Sequence, residues 1–243
     1  MSIKKALEIL NLFNLETREL TVTQISNLLH IPQSSVYRYI RILKENRYVF
    51  ETERNSYKIG FKLLELGNLA RIDNEIISIA NPIMKQLTDE TKETSVLVIH
   101  SGLNAVCLED VTSSHHLIKV SSVSGKVIPL FAGASSKAIL AYMGSETINK
   151  LYKHGFIKKF TPHTIVDKEE LIKEMKKVRE NGYAVSDSEL DEGVYTYAVP
   201  IFSSGNIFGS LSLAGPKERI IRNNKEELIE KIKNAVNEIE KNL

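Results

Sequence analysis

The stretch that most constrains the fold runs from Leu20 to Asn46, where a helix-capping signal, a very short apolar helix and a proline stop follow one another closely. Thr21-Val22-Thr23-Gln24 has the capping-box pattern, in which the Thr21 hydroxyl accepts from the Gln24 amide and the Gln24 side chain reaches back. Leu20 and Ile25 sit where a hydrophobic staple forms. Ile25, Leu28 and Leu29 supply an inward face for only about two turns, because His30-Ile31-Pro32 interrupts the pattern. Beyond Pro32 a longer helix is predicted to about Asn46, with Val36, Ile40 and Leu43 at i, i+4 and i+7 as its buried stripe.

The opposite side of that helix carries Ser34, Arg38 and Arg41 at the same spacing, with Gln33, Ser35, Tyr37 and Lys44 beside them. A short helix, a tight turn and a longer helix with Ser and Arg on its free face is an arrangement that enters a DNA major groove. Arg makes bidentate contacts to guanine, while Ser, Tyr and Lys more often hold phosphates. Such a face also serves simply as solvated surface. Context favours the groove: Tyr48 to Thr52 and Ser56 to Ile59 read as two strands around the polar tip Glu53-Arg54-Asn55. Upstream, Ile3, Ala6, Leu7, Leu10 and Phe13 recur at helical spacing. Three helices and a hairpin make a winged helix-turn-helix over 1–60, with Arg54 and Lys58 as candidates for backbone or minor-groove contacts on double-stranded DNA.

Composition agrees with this division. A chain of 243 residues exceeds one small domain, and 42% hydrophobic with 26% charged residues is a globular mixture whose apolar runs are too short to cross a bilayer. The N-terminal residues lack the apolar core of a secretion signal, so a cytoplasmic location is expected. Residues 1–72 hold 11 Lys and Arg against 7 Asp and Glu, and the remainder 21 against 23, a basic head on a slightly acidic body. Cys107 is the sole cysteine, which excludes an internal disulfide and a multi-thiolate metal site, and it reads as a small buried hydrophobe.

From Phe61 to about Ile72, Leu63, Leu66, Leu69 and Ala70 mark a linker helix, assigned to 61–73, whose apolar stripe must be covered by its own body or by a second subunit. In the body, 74–243, a helix is expected over Ile76 to Thr91, then strands over Ser95 to His100, Ala105 to Asp110 and Leu117 to Ser122. A short helix follows from Ser135 to Tyr142 and an amphipathic one from Lys168 to Asn181, ended by Gly182. Strands resume over Tyr183 to Ser186, Tyr195 to Phe202 and Ile207 to Ala214, before a final helix marked by Leu228, Ile232, Val236 and Ile239. This is an α+β domain with a mainly antiparallel sheet flanked by helices.

The residues also resemble a known family. The head is similar to the N-terminal domain of IclR-type regulators through Lys4 to Leu10, Ile31 to Arg38, and Tyr57 to Gly67, where a wing strand passes through a glycine directly into the linker helix. The body resembles the IclR effector domain, a GAF-like fold, through Pro129 to Ala141, Val178 to Val185, Gly193 to Pro200 and Ser210 to Pro216. The resemblance implies a homodimer or dimer of dimers, joined through heads and linkers, that reads two DNA half-sites. It also implies a small-molecule effector, a small organic or aromatic acid, held at the start of the helix after the Gly/Ala/Ser-rich loop. The implied positions are Ala134, Ser135, Ser136, Ser186 or Asp187, Thr196 and Ser212, with Leu130, Ile139 and Met143 as possible apolar walls. Small residues at 134–136 serve equally for close helix-sheet packing. Ser186 and Thr196 stand where the family often has an acid and a cysteine, and Ala214 where it often has a serine.

No catalytic constellation accompanies these features. GxSxG, HExxH, CxxC and phosphate-loop motifs are absent from the sequence. Ser135, Ser136 and Lys137 are consecutive on a helix, which is the wrong geometry for a nucleophile pair, and Lys137 reads as structural or solvated. His115-His116, placed on a strand, would point to opposite faces, so neither metal nor cofactor is expected. The sequence therefore points to a DNA-binding regulator modulated by an effector, without enzymatic activity. The competing readings are a small-molecule-converting enzyme with an accessory DNA-binding module, and a constitutive DNA-binding protein.

Overall fold

The computed structural model describes residues 3–14, 17–72, 75–120 and 122–243. The chain divides into two compact units, Met1–Asn74 and Glu75–Leu243. In the first, α1 (Ile3–Leu10), α2 (Val22–Leu29) and α3 (Gln33–Glu45) surround a core of Ile9, Leu20, Ile25, Val36, Ile40 and Leu43. The capping box forms as the local code dictates, with the Gln24 amide donating to the Thr21 hydroxyl at 3.3 Å and the Thr21 amide to Gln24 Oε1 at 2.8 Å. His30 closes α2 in the left-handed conformation, and the Ser26 hydroxyl pins the turn by donating to the Ile31 carbonyl at 2.6 Å. The wing is β2 (Val49–Glu51) paired antiparallel with β3 (Ser56–Ile59). Its third strand, β1 (Leu20–Thr21), escaped the sequence analysis, because two residues carry no alternation to detect.

Gly60 connects β3 to α4 (Phe61–Ile72) and is fixed by proximity rather than by an unusual dihedral. Its amide donates to the Tyr48 carbonyl at 2.8 Å, and a Cβ on it would lie 2.1 Å from the Arg47 carbonyl oxygen. α4 buries none of its described side chains within this unit: Phe61, Leu64 and Leu69 are exposed by 76%, 61% and 56%.

The second unit is a six-stranded antiparallel sheet in the order β6-β5-β4-β9-β8-β7, formed by β4 (Thr94–Ser101), β5 (Asn104–Val111), β6 (Val127–Pro129), β7 (Ala184–Asp187), β8 (Val194–Ser203) and β9 (Asn206–Pro216). Both faces are covered. On one lie α5 (Glu75–Thr91) and α10 (Lys225–Glu240), packed on Leu97, Val199, Leu211 and Leu213. On the other lie α6 (Ala134–Leu140), α7 (Ser145–Lys153) and α8 (Lys168–Asn181), packed with Val96, Val98, Cys107 and Ala198. A one-turn helix, α9 (Lys217–Ile220), follows β9. The alternation along β4 is clean: Val96 and Val98 face α6, whereas Ser95 and Leu97 face α5, where Ser95 Oγ donates to the Met84 carbonyl at 3.1 Å.

Three expectations for the body require correction or addition. The strand expected over Leu117 to Ser122 does not form: residues 112–120 lie in a loop, Leu117 is wholly exposed, and Ser121 lies outside the described residues. The free edge of β5 is instead taken by β6, in the register Asn104↔Pro129, and apolar alternation cannot announce which segment will win an edge. Consequently His115 and His116 lie in this loop and not on a strand. α7 and α9 were not anticipated. Among the described residues, no three of His, Cys, Asp and Glu converge as metal ligands, and no helix is long and apolar enough to cross a membrane.

Candidate functional site

On the head, α3 turns its free face into a shallow groove. Ser34, Tyr37, Arg38, Arg41 and Lys44 line it together, with Tyr57 of β3 below them. Their charges are not equally available. Arg38 lies 5.4 Å over the Tyr39 ring, and Arg41 reaches Glu45 only at 3.8 Å with both side chains largely in water, so each guanidinium keeps most of its donors free. Lys44, by contrast, pairs with Glu51 on the wing and Lys58 with Glu19 at 3.2 Å. Glu19 also accepts from Ser56 and Thr52, and these hydrogen bonds, led by that from Ser56, hold its carboxyl below the usual carboxylate range. Lys58 is thus a brace of the wing, a role that sequence could not supply because its partner is distant along the chain. Gln33 opens α3 with its amide 3.4 Å from the Thr23 hydroxyl, Ser35 is half-buried beside it, and Arg54 is exposed at the wing tip.

In the body a cavity of about 110 Å³ opens between α6 and the centre of the sheet. Of the residues expected at an effector site, Ala134, Ser135, Ser136, Ser186, Thr196 and Ser212 line it. Leu130 and Asp187 do not. Leu130 is fully buried in the core under α6, and Asp187 at the end of β7 pairs with Lys217 at 2.7 Å, which lowers its carboxyl pKa. Ile139 is likewise core, and Ala214 is a lining residue.

The hydroxyls fall into two groups. Ser135 Oγ donates to Ser212 Oγ at 2.9 Å, and Ser212 donates onward to the Val96 carbonyl at 3.3 Å, so these two tie α6 to the sheet. Ser136 is different. It is fully buried and lines the cavity, yet its hydroxyl has no hydrogen-bond partner among the described residues. Burying a polar group unpaired costs about 1–3 kcal/mol. Ser186 and Thr196, from β7 and β8, line the same space and make no side-chain hydrogen bond among the described residues.

Two ionic features were missed by sequence reasoning. Lys137, on α6, is 1% exposed and joins Glu189 to Glu174, the latter at 2.9 Å. Glu189 lines the cavity and accepts the Gly133 amide at 3.1 Å, so the carboxylate at the start of α6 is the protein's own. Burial pushes the Glu189 carboxyl up in pKa against the pull of Lys137. The second is Lys126, which lines the cavity together with Val120 and Ser122 from the loop after β5. That loop is fastened to the body: Thr94 donates to the Val120 carbonyl at 2.6 Å, and Arg219, paired with buried Glu93, donates to the Ile118 carbonyl at 3.0 Å.

A helix-turn-helix head with an open cationic face, joined to a body that encloses a hydroxyl-lined cavity, defines a transcriptional regulator with an effector-binding domain. The comparison with known proteins agrees. The family model for the IclR helix-turn-helix domain matches residues 2–52, and that for the bacterial transcriptional regulator IclR C-terminal domain matches residues 70–241. The chain belongs to the IclR family. It is 29% identical to the HTH-type transcriptional regulator KipR of Bacillus subtilis, over the whole of this chain and 96% of that one. A solved IclR transcriptional regulator from a Silicibacter species is 26% identical and superposes with a TM-score of 0.88 over 99% of this chain and 95% of that one. An IclR homologue from Microbacterium hydrocarbonoxydans, solved in complex with 4-hydroxybenzoate, shares the fold with a TM-score of 0.76 at 21% identity, over 98% and 96% of the two chains.

Proposed function

We propose that this chain is a sequence-specific DNA-binding regulator whose hold on its operator is modulated by a small organic or aromatic acid bound in the body. The observation that carries the sensing half is the fully buried Ser136 hydroxyl, which lines a cavity and lacks a partner. A ligand oxygen supplies the missing bond, and pairing the otherwise unsatisfied hydroxyl contributes affinity that offsets the ligand's loss of water. For the reading half, Arg38 and Arg41 keep free donors on the exposed face of α3, where the geometry of a helix-turn-helix sends side chains into the major groove. Ser34 and Tyr37 beside them, with Arg54 on the wing, fit contacts to phosphates. The binding of 4-hydroxybenzoate is a property of the Microbacterium neighbour, which at its identity argues for fold alone.

The division of labour follows the chain: residues 1–60 read DNA, 61–73 link, and 74–243 sense and assemble. The uncovered apolar side chains of α4 support a homodimer, or a dimer of dimers, since two heads are needed for two half-sites. The protein acts in the cytoplasm, without enzymatic activity. An enzyme would need an acid, a base and a nucleophile converging on the cavity, and the buried carboxylate at its lining, Glu189, is committed to Lys137.

The test is genome-wide pulldown of DNA by the full chain, followed by anisotropy titration of the recovered operator with organic and aromatic acids present. Selective retention of one operator, tightened or released by an acid, supports the reading. Retention of random fragments, or an affinity that no acid changes, overturns it.

A further inference from the structure

The cavity holds a charge that its hydroxyl lining does not explain. Lys126 stands immediately before β6, half-buried, with its side chain at the cavity and no carboxylate partner among the described residues. The neighbouring cation, Lys137, is already matched by Glu174 and Glu189. The carboxylates at the lining do not claim Lys126 either, because Glu189 is held by Lys137 and the Gly133 amide, and Asp191 is exposed at the edge. With Ser135 bonded to Ser212 and Ser122 to the Cys107 thiol, what remains uncommitted among the described residues is one ammonium group and the hydroxyls of Ser136, Ser186 and Thr196.

We infer that Lys126 is the counter-ion for the effector's carboxylate, and that the effector is a short aliphatic hydroxy acid whose remaining oxygens meet Ser136, Ser186 and Thr196. The inference rests on the cavity being the effector site. Two observations narrow the ligand. Among the described residues no aromatic side chain lines the cavity, so a ring would have no stacking partner. Three free hydroxyls beside the ammonium demand a ligand with oxygens beyond its carboxylate, since each unmet buried group is a cost. The ammonium suits this task because it is a compact point charge on a flexible stem. It follows the stretch whose Ile118 and Val120 carbonyls are fastened by Arg219 and Thr94.

The test is isothermal titration of the full-length protein at neutral pH with lactate, glycerate and tartrate. Glycerol and lactamide serve as neutral counterparts, and benzoate and 4-hydroxybenzoate as aromatic acids. One of the hydroxy acids is expected to bind, its neutral counterpart not. Lys126→Met should then weaken it by about tenfold to a hundredfold, and Lys126→Arg should restore most of the loss. Thr196→Leu, which fills the cavity, should abolish binding whatever the ligand. Hydroxy-acid binding unchanged in Lys126→Met but lost in Thr196→Leu overturns the role of Lys126 and leaves the cavity as the effector site. Binding of the aromatic acids alone overturns the ligand class. If no acid binds at all, or if binding survives Thr196→Leu, the reading of the cavity itself falls.

Discussion

Lys137 is a charge kept away from water, held between Glu189 and Glu174 on neighbouring elements. Its removal leaves Glu189 buried with only the Gly133 amide, so Lys137→Met should cost the body about 3–5 kcal/mol in urea unfolding. Lys137→Met combined with Glu189→Gln should recover part of that loss; equal instability of the single and double variants would show that the pair does not act as a unit. Of the two roles that the sequence allows Lys137, structural or solvated, the structure shows the first, through a partner 52 residues further along that no local pattern reveals. On the head the same scale separates Arg38 and Arg41 from Lys44 and Lys58. Arg38→Ala and Arg41→Ala are each expected to lower operator affinity by about 1–3 kcal/mol, with little change on random duplex. Anisotropy with both DNAs measures the difference, and equal losses on the two would reduce these residues to phosphate contacts.

At the level of elements, Gly60 shows why a wing can pass straight into a helix. Its lack of a Cβ lets the chain run against the Arg47 carbonyl, so Gly60→Ala must push two backbone segments apart. We expect a loss of roughly 1–3 kcal/mol from the head in thermal unfolding, of the size seen for overpacking. A variant as stable as the parent would mean that the junction is free to shift. Elements whose signals are local were legible in the sequence: the capping box of α2, the stripe of α3, and the glycine that closes α8 in the left-handed conformation. Those decided by competition were not. Leu117 to Ser122 has the composition of a strand, yet β6 holds the edge that it would need. β1 is too short to have a period, and its two residues pair with β3 while Thr21 also caps α2. The same limit applies to the cavity, where six expected residues converge but Glu189 and Lys126 come from loops without a motif.

Across the whole molecule, two features bear on how the parts act together. The first is α4, whose Leu64 and Leu69 are exposed in a single chain. Leu64→Glu with Leu69→Glu should leave each unit folded and shift sedimentation from the assembled form to the monomer, with loss of operator binding; a variant that still sedimented as a dimer would place the interface elsewhere. The second is the single thickness of the central strand. Val96 and Val98 touch the cavity, while Leu97 between them bears on α5, the helix that follows the linker in the chain. A ligand seated on one side of β4 would therefore bear on α5 through one layer of backbone, as on a drumskin. Leu97→Ala should slacken it: effector affinity stays within a few-fold of the parent, while the change that effector imposes on operator affinity shrinks. Paired titrations of effector and operator separate the two quantities, and a parental response in Leu97→Ala would mean that the signal leaves the cavity by another route.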